Sequence, residues 1–171
     1  MKVLFLINTI RIIYKAYRGK SKNYVIRLVG VHLIKPEMKR ENEVYSLNGS
    51  YSPFIYKSKI GGLTYCFPVA SGHADMTFEF NISEQDLDVL KSSNYRFKAL
   101  YYILVNEAQS TFGTGHPNPR RYTAEEFEDA KNKVLYKSEH ELKLYIKEFS
   151  KAKKLGEEYF QTFSKNVFQL E

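Results

Sequence analysis

The sequence has one cysteine, four histidines, no tryptophan and five prolines in 171 residues. A lone thiol, Cys66, cannot form an intramolecular disulfide, and with scattered histidines it cannot furnish a Cys-rich zinc site. The chain reads as one from a reducing compartment, and a cytoplasmic location is expected. Long apolar runs are also missing. The opening Val3-Leu4-Phe5-Leu6-Ile7 stops at Asn8-Thr9 with no small-residue cleavage site after it. A secretory h-region needs roughly 7–15 apolar residues and a spanning helix ~20, so neither a signal peptide nor a transmembrane segment is expected. No repeat, low-complexity run or Pro/Gly/Ser linker divides the chain.

What is present is apolar mass. Hydrophobic residues make up 43% and aromatic residues 15%, with 14 Tyr and 12 Phe, which suffices for a core and excludes wholesale disorder. The expectation is a single domain over 1–171, with 1–21 a basic amphipathic N-terminal segment that is partly separate. Charge is uneven: residues 1–40 hold ten basic residues and one acid, a net +9, and the other 131 sum to −2. Ile10, Ile13, Tyr14 and Tyr17 recur at helical spacing beside Arg11, Lys15 and Arg18, which suits a membrane surface or a core element with a solvated outer side.

Residues 22–35 are rich in β-branched and aromatic side chains and predict a strand that Pro36 ends. Two more strands, Tyr51 to Lys59 and Leu63 to Val69, flank Gly61-Gly62, whose freedom at positive φ suits a hairpin turn. Met76, Phe78, Phe80 and Ile82 alternate with Thr77, Glu79 and Asn81, the pattern of a half-buried strand. Helices follow. Ser83 with Asp86, Thr123 with Glu126 and Ser138 with Glu141 are capping boxes, and Phe97, Leu100, Tyr101, Leu104 and Ala108 mark a buried helix between the first two. Leu142 to Val167 steps by three or four, as one long helix or two broken near Gly156. Strands first and helices afterwards predict an α+β fold, a short antiparallel sheet in the N-terminal half packed against three or four C-terminal helices.

Chemistry is sparsely signalled. Gly113-Thr114-Gly115 lacks the third glycine of a dinucleotide fingerprint and the Lys-Ser/Thr of a phosphate loop. His116 beside Arg120 and Arg121, with His73 near Asp75, would suit phosphodiester chemistry if the two loops met; otherwise His116 is a solvated turn residue and the arginines are solvated or paired with Glu125. Tyr14, Tyr17 and Tyr24 among Lys15, Arg18, Lys20 and Lys22 would suit nucleic acid, though no reader motif accompanies them. His32 reads as a strand histidine, and His140 with Glu141 has the wrong spacing for a metal pair. Cys66 between Tyr65 and Phe67 reads as a small buried hydrophobe. No cofactor, metal or catalytic residue is expected. Two acidic clusters, Glu84, Asp86, Asp88 and Glu125, Glu126, Glu128, Asp129, stand in first helical turns, where they favour the helix dipole. On one face they would also steer and hold a basic protein partner, and these seven are the candidate partner-binding residues.

The stretch Phe80-Asn81-Ile82-Ser83-Glu84-Gln85-Asp86-Leu87-Asp88-Val89-Leu90, continuing through Arg96 to Leu104, resembles a strand-to-helix pattern of small bacterial immunity proteins, including those that neutralise contact-dependent growth inhibition toxins. The resemblance implies a cytoplasmic, non-enzymatic protein that binds a cognate toxin domain and blocks its active site or its docking. Neutralisers of basic nucleases are acidic, whereas this chain carries +7. Either the acidic clusters form the contact surface or the toxin is not a basic nuclease. The alternative function is nucleic-acid binding or phosphodiester cleavage through the N-terminal cations and the loop histidines.

Overall fold

The computed structural model describes residues 42–47, 51–59, 61–71, 74–112, 116–156 and 158–168. The chain falls into two units, Met1–Met38 and Lys39–Glu171, and the fold below is that of the second. Segment 1–21, the strand expected over 22–35, His32 and His73 lie outside the described residues.

Four strands, β1 Glu43–Ser46, β2 Phe54–Lys57, β3 Leu63–Ser71 and β4 Ala74–Ile82, form an antiparallel meander in the order β1-β2-β3-β4. Five helices follow: α1 Glu84–Ser92, α2 Asn94–Phe112, α3 Ala124–Leu135, α4 Glu139–Ala152 and α5 Tyr159–Phe168. The α+β class is as the sequence implied. One strand, β1, carries no clear alternation and was not anticipated. Its register on β2 shifts between Glu43 and Tyr45.

The β2–β3 turn closes through Ser58 N–H to the Gly62 carbonyl at 2.8 Å and Gly61 N–H to the Ser58 carbonyl at 2.9 Å, with Gly61 at φ +95°. That positive φ is where a side chain would be strained. Pro68 sits within β3 without cost, because in the hairpin register it faces Ser52, beyond the start of β2.

Alternation sends Tyr65, Phe67 and Val69 of β3 and Phe78, Phe80 and Ile82 of β4 toward the helices. There Tyr65 meets Phe97 and Phe127, and Phe80 stacks on Phe127 with centroids 4.6 Å apart. Helix α2 is the centre of the domain. Ala99 through Val105 are all buried, since one side packs on the sheet and the other receives Phe149 of α4 and Phe160 and Phe163 of α5 around Tyr102. A helix with no solvated face is what a sandwiched position requires. The C-terminal run divides into α4 and α5, which brings the helices among the described residues to five. The break comes before Gly156: Leu155 N–H reaches the Ser150 carbonyl at 2.8 Å and Lys154 N–H the Lys151 carbonyl at 3.0 Å, with Lys154 left-handed at φ 56°. This is a Schellman stop built on a non-glycine residue.

Candidate partner-binding surface

Both acidic clusters begin as capping devices. The Asp86 N–H donates to Ser83 Oγ at 3.1 Å and the Ser83 N–H to the Asp86 carboxylate at 2.9 Å, while Thr123 and Glu126 repeat the exchange at 3.3 and 2.9 Å. Each box satisfies two otherwise orphaned helix N–H groups.

Asp86 then departs from its expected role. Its side chain is 2% exposed and takes Lys131 Nζ at 3.0 Å and the Tyr136 hydroxyl at 2.5 Å. Burial pushes its pKa upward, but the hydrogen bonds from Tyr136, the Ser83 backbone and Lys131 outweigh it and hold the carboxyl below its ordinary value. Lys131, 9% exposed, also reaches Glu128 at 2.9 Å. Burial works to lower its pKa, and the carboxylates of Glu128 and Asp86 reverse that and raise it. The assignment of Asp86 to a partner surface is therefore corrected: a buried ammonium from α3 claims it. The same network ties α1 to α3, and Arg96 of α2 ties in the far end of α3 by donating to the carbonyls of Val134 at 2.6 Å and Lys137 at 2.7 Å.

The other acids divide by partner. Arg120 donates to both oxygens of Glu126, at 2.8 and 2.5 Å, and chiefly this holds the Glu126 carboxyl down at about 2. Asp129 pairs with Lys133 one turn on. Glu84, Asp88 and Glu125 are exposed and have no ion-pair partner among the described residues. Glu84 and Asp88, four apart, share the side of α1 turned away from Asp86.

Two clefts adjoin α3. The first, about 360 Å³, is lined by Glu107, Ser110, Thr111, Arg120, Tyr122, Glu126, Asp129 and Lys153. Tyr122 donates its hydroxyl to Glu107. Burial raises the Glu107 carboxyl above its ordinary range against that hydrogen bond, and burial together with Glu107 raises the Tyr122 phenol. Lys153 Nζ lies 3.1 Å from Ser110 Oγ. Sequence reasoning singled out neither Glu107, Tyr122 nor Lys153, since no spacing rule links a helix interior, a loop and a helix end. The second cleft, about 440 Å³, lies between β4 and α3 and is lined by Glu79, Phe80, Asn81, Ala124, Phe127 and Glu128.

The groups of the alternative chemistry are not assembled among the described residues. Arg120 is held by Glu126, and His116 stands exposed with its Nδ1 accepting from the Asn118 N–H at 3.1 Å. Cys66 is buried in β3. Among the described residues no group of three or more His, Cys, Asp or Glu side chains could hold a metal, and no helix is long and apolar enough to cross a membrane. Comparison with family models, curated proteins and solved structures finds no match to the chain.

Proposed function

We propose that the chain is a non-enzymatic protein-binding module and that its partner is a toxin domain, which it neutralises in the cytoplasm, as the resemblance of residues 80–104 implies. The observation that carries this reading is the set of exposed carboxylates Glu84, Asp88 and Glu125, without ion-pair partners among the described residues, on two helices that Lys131 of α3 cross-links through Asp86 of α1. Fixed charges of one sign accelerate encounter with a basic partner and reject acidic ones. A preformed scaffold also lowers the ordering cost of binding. No observation among the described residues favours the nucleic-acid alternative.

The test is capture of partners by the tagged full chain from its native lysate, split into nuclease-treated and untreated halves and read by mass spectrometry. One stoichiometric protein that survives nuclease is the expected result. Recovery of nucleic acid alone, or of proteins lost on nuclease treatment, would contradict the reading.

A further inference from the structure

Among the described residues, strand β4 is an outer strand of the sheet, nine residues long and paired with β3 in unbroken register from Leu63↔Ile82 to Ser71↔Ala74. Long, regular edges invite another strand, and proteins commonly blunt them with proline, lysine, a bulge or brevity. The opposite outer strand, β1, has four residues and a register shift. Strand β4 has no proline, lysine or bulge.

The hydrogen-bond parity settles which groups β4 presents. Ser58 N–H binds the Gly62 carbonyl, so β3 residues of even number turn their backbone groups toward β2. Odd-numbered β3 residues then face β4, and their partners there are the even-numbered Met76, Phe78, Phe80 and Ile82. Asp75, Thr77, Glu79 and Asn81 must direct their N–H and C=O groups outward. No strand among the described residues pairs with them. Beside that edge lies the 440 Å³ cleft, whose charged lining residues, Glu79 and Glu128, are both acidic.

We infer that β4 receives an extended, basic segment of the partner protein as a fifth antiparallel or parallel strand, with a lysine or arginine on the sheet face turned from the helices, beside the exposed Asp75 and Glu79. This rests on the protein-binding reading above and specifies its geometry. Charge selects the occupant. Asp75 and Glu79 are the charged residues of β4, so a second copy pairing about Thr77 would set carboxylate opposite carboxylate, which is destabilising.

The parity also supplies a selective variant. Thr77→Pro removes an outward N–H and no bond to β3, and proline is tolerated on an edge. The probe is an alternating Lys-Val hexapeptide with blocked ends, titrated into the full chain and followed by amide NMR. Shifts and slowed exchange at Asp75, Thr77, Glu79 and Asn81 are expected, and they should be lost with Thr77→Pro and with an alternating Glu-Val peptide. Perturbation confined to α1 and α3, equal binding by the proline variant, or a wild-type dimer through β4 would overturn the inference. Where the lysate capture yields a stoichiometric protein, Thr77→Pro of unchanged circular dichroism should weaken it at least tenfold. Undiminished capture would sink the strand pairing and leave the protein-binding reading standing, whereas absence of any captured protein would sink that reading and leave the peptide titration to judge the edge.

Discussion

Replacing Lys131 by methionine isolates the interaction that joins α1 to α3. The side chain keeps its length and its packing near Phe127 but loses the ammonium 3.0 Å from Asp86. Removing one partner of a buried ion pair costs roughly 3–5 kcal/mol when the other charge is left uncompensated. Asp86 retains Tyr136 and the Ser83 N–H and Oγ as donors, so a loss of about 2–3 kcal/mol follows at neutral pH. With a urea slope of about 2 kcal/mol per molar, the midpoint by far-ultraviolet circular dichroism should fall by a little over 1 M. The pH dependence gives a second reading. The folded-state pKa of Asp86 is depressed, so its stabilising contribution is full above the unfolded value of 3.8 and disappears as pH falls through the lower folded value. The difference between wild type and variant should therefore shrink below about pH 3.8. The double variant Asp86→Asn with Lys131→Met should cost less than the sum of the two singles. A loss under about 0.5 kcal/mol at neutral pH, or one that does not change with acid, would refute the account of the network.

Three further outcomes follow from single groups. Tyr65 is fully buried and its hydroxyl has no hydrogen-bond partner among the described residues, so Tyr65→Phe should leave stability unchanged or raise it by about 1 kcal/mol; a loss above that in a urea melt would show a hidden partner. Lys154 stands at φ 56°, where glycine is favoured, and Lys154→Gly should stabilise by about 0.5–1 kcal/mol in thermal melts; destabilisation would contradict the Schellman reading. Glu107 has a raised folded pKa, so the folded state prefers its neutral form and wild-type stability declines as pH rises from 4.5 through that value. Glu107→Gln lacks this decline and should gain on wild type between acid and neutral pH, while a gap that stays constant or reverses would overturn the burial argument.

The sequence made β4 legible because one face is buried and the other exposed, so Met76 to Ile82 alternate without exception. The three capping boxes were equally legible, each being a local exchange between residues three apart. Asp86 shows where such reading stops. A box explains its position completely, and nothing nearby signals that Lys131, 45 residues away, arrives to bury it. Glu126 is likewise taken by Arg120, which local sequence left solvated or paired with Glu125. Tyr122 and Glu107 meet only because the loop before α3 folds back on α2, a tertiary event with no periodic trace. The break after α4 falls near Gly156, as the sequence allowed, but the chain turns at Lys154, a residue that takes the left-handed conformation only under the constraint of the packed helix end. Strand β1 was missed because four residues with a register shift leave no alternation to read.

On the proposed function, the exposed carboxylates of α1 and α3 hold a protein partner. The most direct test compares wild type with the variant Glu84→Lys, Asp88→Lys, Glu125→Lys for affinity toward the captured partner at low and high salt, after circular dichroism shows both folded. The account predicts at least a tenfold weaker complex for the variant at low salt, through a slower association rate, with the difference narrowing as salt rises. Equal affinity at low salt would contradict it.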